Sequence, residues 1–412
     1  MKCRFCAEPI DDASPDTLFL DLGTAPPSNA FLTSAQLAEA ESYLPLRLHA
    51  CPRCLLVQLD EIRPHAQLFA PDYVYFSSYS RSWLEHARAF VELAVAELDL
   101  DARSLVVEIA SNDGYLLQYV AAKGIPCVGI EPTSGTAQAA RAKGVETIEA
   151  FFGLRFAHAF VAERGQADLV VANNVLAHVP DLNDFVAGLR VLLAPRGVAS
   201  VEFPHLLELV SQRQFDTVYH EHFSYFSLHV ARAVFAAHGL RVHDVERLPT
   251  HGGSLRLWAS PVDSGRAESV RVAEVLALER AAGMFERGWY RGLQRQAEDV
   301  KNALLEFLLG LRRSGRSVAA YGAAAKGNTL LNYAGIRPDL VPFVVDASPY
   351  KQGRFLPGSR IPVVAEGVLR AARPDVVLIL PWNLRAEITA QLAYVREWGG
   401  RFAVAVPQLD VF

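Results

Sequence analysis

The chain has no apolar run approaching the roughly 18 residues a membrane-spanning helix needs. Its N-terminus, Met1-Lys2-Cys3-Arg4-Phe5-Cys6, lacks the apolar stretch of a signal peptide. The expected setting is therefore the cytoplasm, with no membrane contact. There is no basic excess either: 40 Lys and Arg stand against 45 Asp and Glu, a net charge of -5. A protein that coats a polyanion leans the other way, so nucleic acid is not an expected partner. Short-period repeats and low-complexity tracts are missing too. What is present is ordinary globular material: 412 residues, 51% apolar and 21% charged. At roughly 150 residues per domain this implies two or three domains.

Cysteine is scarce, and its placement is informative. Four of the five cysteines form two C-x-x-C pairs, Cys3/Cys6 and Cys51/Cys54. A cytoplasmic chain is a poor host for two disulfides, whereas four thiolates suit a tetrahedral zinc ion. The alternative is a set of redox or incidental thiols. An all-sulfur site leaves no position for water, so Zn2+ here would be structural. The N-terminal segment is too small to hold together without such a staple. Cys127, in Ile125-Pro126-Cys127-Val128, reads as a small core residue.

The rest of the chain predicts an α/β fold. Residues 61–100 are mainly helical in pattern, with the aromatic cluster Tyr73 to Tyr79 lying before the helix. Strand and helix then alternate from about residue 103 to Phe203, as a parallel sheet covered on both faces requires. A helical stretch over 265–313, weakened by glycines, reads as one long helix with a possible break. The alternation restarts after Gly315 as a second, smaller doubly wound unit.

In such sheets ligands sit beyond the C-terminal strand ends. The first such turn is Glu108-Ile109-Ala110-Ser111-Asn112-Asp113-Gly114, with Glu131 closing the next strand and Asn173 and Asn174 following the fourth. The turn is not G-x-G-x-x-G and is acidic, a poor cradle for a pyrophosphate. It better suits S-adenosylmethionine, whose amine and sulfonium are cationic. NAD is the competing ligand, and simple helix capping by Glu108 and Asp113 is the bland reading.

Tyr219-His220-Glu221-His222 is a run of four polar side chains near two phenylalanines. It reads as a solvated loop, as part of a three-histidine metal site with His178, or as acid–base machinery. In the second unit, Tyr321-Gly322-Ala323-Ala324-Ala325-Lys326-Gly327-Asn328 is a strand–turn–helix of small residues that allows a diphosphate to approach a helix N-terminus. Asp346 ends the next strand, Lys351 and Arg354 lie in a basic loop, and Asn383 follows a further strand. An NAD site or a packing-only domain are the alternatives. His86, His158, His229, His238 and His243 read as surface or capping residues, and His251-Gly252-Gly253-Ser254 as a hairpin bend.

The two knuckles, the Glu108 to Gly114 turn, Asn173-Asn174-Val175-Leu176-Ala177-His178-Val179, Tyr219 to His222, and Tyr321 to Asn328 occur in an order that resembles the nucleotide-sugar C-methyltransferases. These S-adenosylmethionine-dependent enzymes methylate C3 of a nucleoside-diphosphate-linked 4-keto-deoxysugar and carry an N-terminal zinc-binding domain. The resemblance covers essentially the whole chain. It implies a zinc-binding domain at 1–65, a Rossmann-like methyltransferase domain at 66–265, and a helical connector with a nucleotide-sugar-binding domain at 266–412. It implies a role in deoxysugar biosynthesis for an antibiotic or surface glycan, in a chain that works as a monomer. His222 becomes the base at C3, and His178 and Tyr219 the donors to the enolate oxygen. Glu221 orients the sugar or His222, and Tyr73 contacts sugar or cofactor. The cofactor set is Glu108, Ala110, Asn112, Asp113, Gly114, Glu131, Asn173 and Asn174. The nucleoside diphosphate falls to Tyr321, Gly322, Lys326, Asn328, Asp346, Lys351, Arg354 and Asn383. One position departs from the family pattern. Ala110 stands where methyltransferases commonly have glycine, and it fits there if its φ is negative. A nicotinamide-dependent oxidoreductase and a non-catalytic nucleotide-sugar binder are the rival functions.

Overall fold

The computed structural model describes residues 1–59 and 76–412. Tyr73 therefore lies outside the described residues. Near the N-terminus, β1 (Leu18–Ala25) pairs antiparallel with β2 (Leu44–Ala50), and the short β3 (Val57–Leu59) follows. After α1 (Arg81–Leu98) come β4 (Val106–Ile109), α2 (Leu117–Ala121), β5 (Cys127–Ile130), α3 (Ser134–Ala142), β6 (Thr147–Ile148), α4 (Leu154–Arg164), β7 (Ala167–Asn173), α5 (Leu182–Leu192) and β8 (Leu193–Pro204). The short β9 (Ser224–Tyr225) pairs with β3. Then α6 (Leu228–Ala237) leads into β10 (Leu240–Leu248) and β11 (Ser254–Pro261).

These strands form a seven-stranded sheet in the order β10–β11–β8–β7–β4–β5–β6, parallel except for β11. Its strands are apolar on both sides because both faces are covered. Val107, Val170 and Ala199 turn into one core with Phe160 and Phe185. Val106, Val171 and Val198 turn into the other with Phe90 of α1. Among the buried polar residues on these strands are two carboxylates, Glu108 (1% exposed) and Glu202 (0% exposed). A carboxylate placed there in a central strand is not a packing choice.

The long helical stretch is broken where its glycines weaken it, into α7 (Val270–Ala281) and α8 (Leu293–Arg313), parted at Gly283, Gly288 and Gly292. In α8, Leu293, Ala297, Val300, Leu304, Leu308 and Leu311 recur at helical spacing and are all buried. Beyond it lie β12 (Val318–Tyr321), α9 (Ala325–Tyr333), β13 (Val344–Val345), β14 (Val363–Val364), α10 (Glu366–Ala372), β15 (Val376–Ile379), α11 (Arg385–Gln391), β16 (Arg401–Val404) and β17 (Asp410–Val411). The order is β14–β13–β12–β15–β16–β17, parallel except for the last strand. Both sheets thus reverse their winding direction beside their first strand, at β4/β7 and at β12/β15, and each leaves a crevice there.

By internal packing the chain forms two compact units. The first comprises 1–11, 51–207 and 223–287, with the seven-stranded sheet and both cysteine pairs. The second comprises 12–50, 208–222 and 288–412. The segment 208–222 therefore packs with the C-terminal sheet although it follows β8 in sequence. No described helix is long and apolar enough to cross a membrane.

Candidate functional site

In the first unit, the chain leaves β4 through a turn in which Ala110 (φ 53°), Asn112 (φ 50°) and Gly114 (φ 74°) are all left-handed. The expectation that Ala110 keeps a negative φ is wrong. It adopts the glycine-like conformation at a cost of about 1–2 kcal/mol. The surroundings hold it there. Glu131 at the end of β5 accepts the Asn112 amide at Oε2 (2.9 Å) and the Thr133 amide at Oε1 (2.9 Å). Asn112 Oδ1 accepts the Ser77 amide (2.9 Å), which brings the tail of the aromatic segment to the turn. The Ser111 hydroxyl fills space that only a glycine at 129 leaves, since a Cβ there would lie 2.3 Å from it.

The crevice is lined with acceptors that lack donors. Both oxygens of Glu108 are buried and make no well-formed hydrogen bond; the Tyr115 phenol is the polar group beside them. Burial pushes Glu108 well above the usual carboxylate range, and Asp113 and Glu131 add to the shift. Asp113 binds Lys143 through Oδ2 (3.1 Å), while its buried Oδ1 has no partner. Asn173 Oδ1 and Asn174 Oδ1 are likewise buried without donors. A carboxylate offers about four acceptor positions, and Glu131 still has capacity on Oε2. Buried acceptors at the end of the first, second and fourth strands fit a ligand that brings an ammonium, hydroxyls and positive charge. S-adenosylmethionine has that donor set.

Around this crevice lie residues the sequence reading missed. Glu202 is buried on β8 and takes His86 Nε2 (2.8 Å), Arg256 (3.0 Å) and the Thr250 hydroxyl (2.7 Å). Burial pushes it up, but these partners outweigh that and hold it below the usual range. His86 is thus part of a buried polar cluster and not a surface histidine. Trp83 stacks on His86 and Tyr115, with ring centroids 4.9 and 5.8 Å apart. The 251–254 bend is more than a hairpin turn: His251 Nε2 lies 3.1 Å from Asn174 Nδ2. Nothing local in the sequence marks this cluster, because its members come from four separate elements.

The second unit holds Tyr219, Glu221 and His222. His222 Nδ1 lies 3.0 Å from the Thr217 carbonyl oxygen. A carbonyl only accepts, so Nδ1 carries the proton and Nε2 of the neutral ring is a lone pair. That lone pair meets the Tyr219 hydroxyl at 2.8 Å. Glu221 Oε1 accepts from Asn29 Nδ2 (2.7 Å), so the Pro26-Pro27-Ser28-Asn29 stretch reaches this cluster. His220 Nε2 faces the Leu44 and Pro45 carbonyls at 3.3 and 3.2 Å. The three-histidine metal site does not form: among the described residues, only the cysteine quartet groups three or more metal-ligating side chains. His178 belongs to the first unit, in the turn after β7, where the neighbouring Ala177 carbonyl accepts the Phe223 amide (2.7 Å).

The crevice of the second sheet repeats the plan of the first with opposite charge. Asp346 at the end of β13 accepts the Ala323 amide (2.7 Å) and the Ser348 amide (2.8 Å), as Glu131 does for its own turn. Lys326 donates to Asn383 Oδ1 (3.0 Å) and lies 4.8 Å from the Trp382 ring centre. Lys351 donates to the Ala323 carbonyl (2.9 Å). Tyr321 accepts from Gln391 (2.8 Å), and burial pushes its phenol to about 12. Gly322 has φ 90°, and a Cβ there would lie 2.4 Å from Pro381 Cδ, so packing alone demands this glycine. Asn328 is 1% exposed, and neither its amide oxygen nor its nitrogen has a partner. Arg354 is half-buried in the loop before β14.

The four knuckle sulfurs lie within 4.8 Å of one another, with Cys3–Cys54 and Cys6–Cys51 each at 3.5 Å. Ligands about 2.3 Å from a tetrahedral zinc stand about 3.8 Å apart, so the quartet fits the ion.

Comparison with known proteins identifies the family. Residues 3–69 match a zinc binding domain, 81–245 a methyltransferase domain, and 249–407 a C-methyltransferase C-terminal domain. The C-methyltransferase NovU of Streptomyces niveus is 37% identical over 410 residues, covering 99% of this chain and 96% of its own. Two solved structures overlap the chain in part. Magnesium protoporphyrin IX methyltransferase of Synechocystis with bound SAM is 16% identical, covering 43% of this chain and 78% of its own, with a TM-score of 0.33. The CcbJ methyltransferase of Streptomyces caelestis is 16% identical over 42% of this chain and 89% of its own, with a TM-score of 0.35.

Proposed function

The chain belongs to the S-adenosylmethionine-dependent C-methyltransferases of the NovU type, with their zinc-binding N-terminal domain, and we propose that it methylates C3 of a nucleoside-diphosphate-linked 4-keto-deoxysugar. The observation that carries this reading is the 3.0 Å contact between His222 Nδ1 and the Thr217 carbonyl oxygen. The His222 Nδ1–H is committed to the Thr217 carbonyl, which leaves Nε2 as a buried base.

Carbon beside a ketone becomes nucleophilic only after losing a proton. His222 Nε2 takes that proton from C3, and the electron pair delocalises onto the C4 oxygen as an enolate. Tyr219 shares its hydrogen with Nε2 at rest and turns it to the enolate oxygen, with His178 as a second donor. Glu221, steadied by Asn29, orients the sugar or the base. When bound, S-adenosylmethionine supplies an electrophilic methyl group on a sulfonium. Glu108, Asp113, Asn173 and Asn174 would hold its donors and Glu131 its ribose, with the turn of Ala110, Asn112 and Gly114 completing the cradle. Lys326, Lys351 and Arg354 neutralise the diphosphate beside the Gly322 turn, and Tyr321, Asn328, Asp346 and Asn383 place the nucleoside. The enzyme works in the cytoplasm as a monomer, with no nucleic acid partner, in deoxysugar biosynthesis.

The test is mass spectrometry on a panel of nucleotide-linked 4-ketosugars with S-adenosylmethionine. One sugar should gain a methyl group, and it should exchange its C3 hydrogen for solvent deuterium even without the methyl donor. Absence of both across the panel refutes the reading.

A further inference from the structure

The segment 213–222 places a second acid directly behind the base, and nothing above gives it a role. Asp216 is fully buried, 0% exposed. Its Oδ2 accepts the Trp382 indole N–H at 2.8 Å, while its buried Oδ1 has no hydrogen-bond partner. The next residue, Thr217, presents the carbonyl that fixes the His222 tautomer. The Thr217 hydroxyl closes the same turn by donating to the Gln214 carbonyl (2.7 Å). Trp382 stands at the C-terminal end of β15, on the crevice. One edge of its ring binds Asp216 and its face receives the Lys326 ammonium. A buried carboxylate is costly unless it is held by donors and opposed by a positive charge. Here the donor is Trp382 and the charge is Lys326, and the turn that carries the carboxylate is closed by the Thr217 amide on the Gln214 carbonyl (3.0 Å). A carboxylate is a poor choice for packing alone, since an apolar residue would fill the space without needing these partners.

We propose that Asp216 is a positioning residue for His222: anchored by Trp382 and balanced by Lys326, it fixes the Thr217 carbonyl that keeps the imidazole in its Nδ1–H tautomer with Nε2 free of hydrogen. The crevice that would receive the anionic part of the substrate thereby also pre-orients the base. This inference rests on His222 acting as the base, but its test needs no substrate and no turnover.

The experiment is 15N NMR of the full-length protein labelled at histidine, with the His222 resonances assigned through H222Q. In the wild type the neutral His222 ring should show the Nδ1–H signature. In Asp216→Asn, the ratio of the two neutral tautomers should move toward Nε2–H by about fivefold, the weight of one net hydrogen bond. S-adenosylmethionine binding by calorimetry should stay unchanged. Trp382→Phe keeps the ring over Lys326 but removes the indole donor. It should give the same shift in smaller measure, and it serves if Asp216→Asn does not fold. A wild-type ring that is Nε2–H, or an unchanged tautomer ratio in a folded variant, overturns the assignment. Failure to methylate any sugar, with the tautomer shift present, would instead count against the function proposed above.

Discussion

The two crevices of this protein are built on one plan and lined with opposite chemistry. In each, the carboxylate ending the second strand takes the amide of the turn after the first strand and the amide two residues beyond itself: Glu131 with Asn112 and Thr133, Asp346 with Ala323 and Ser348. The backbone frame is therefore shared, and the side chains hung on it differ. The first crevice adds Glu108, Asp113 and unpaired amide oxygens, which invite positive charge and donors. The second adds Lys326 and Lys351, which invite negative charge. A winding pattern supplies the place for a ligand, and the charge of a few side chains decides which ligand.

The largest expected effect breaks the chemistry without touching either crevice. His222→Ala should lower methyl transfer by about 10²–10⁴-fold, the range for a lost general base, with S-adenosylmethionine affinity unchanged by calorimetry. Near-normal turnover would remove His222 from the mechanism.

Metal removal should separate the two units. The four cysteines belong to the first. Metal analysis should give about one zinc per chain, and none in Cys54→Ser. Calorimetric melting of that variant, or of chelator-treated protein, should lower the transition of the first unit and leave the second in place. Equal loss from both would merge the units.

The opposed charges can be tested by a swap of readouts. Lys326→Gln should weaken binding of a nucleoside diphosphate by about 10-fold or more, the weight of a charge-assisted hydrogen bond, and leave S-adenosylmethionine binding intact. Glu131→Gln should do the reverse. If each substitution weakens both ligands equally, the division of labour fails.

Acidity gives a finer contrast. Burial raises Asp216 to about 6 and lowers Lys326 to about 8. For Asp216 the folded value exceeds the unfolded one, so its contribution is full below about pH 4 and is lost as pH rises through about 6. For Lys326 the folded value is depressed, so its contribution is full above about pH 10 and is lost as pH falls through about 8. Between these values both are charged and the pair contributes least. The melting temperature of Asp216→Asn minus that of the wild type should therefore climb from pH 4 to 6. Parallel curves would show that Asp216 does not titrate this way.

The smallest effect concerns the turn itself. Ala110→Gly should stabilise the protein by about 1 kcal/mol, because glycine accepts φ 53° without strain. In the second crevice the corresponding glycine, Gly322, tolerates no substitution, since Pro381 occupies its Cβ position.

The periodicity of the strands, the paired knuckles and the acidic strand ends were all legible in sequence, because each is a local pattern. The φ of Ala110 was not. Nothing in its neighbours announces that Glu131, Ser77 and Gly129 together hold the turn left-handed. The roles of His86, His251 and Asn29 were hidden for the same reason: their partners, Glu202, Asn174 and Glu221, are distant in the chain. His222 stood out as a titratable residue in a polar run, but its tautomer did not, since that depends on one carbonyl five residues away folding back onto Nδ1.

By itself, then, the sequence determined the α/β class, the zinc quartet and the order of the ligand turns, because residue type and spacing dictate hydrophobic periodicity and sulfur ligation. Only the tertiary structure decided that 208–222 joins the C-terminal unit, that Asp216 meets Trp382, and which nitrogen of His222 faces the Thr217 carbonyl. Those outcomes follow from burial and from hydrogen bonds between remote segments, and such energies exist only once the chain has closed on itself.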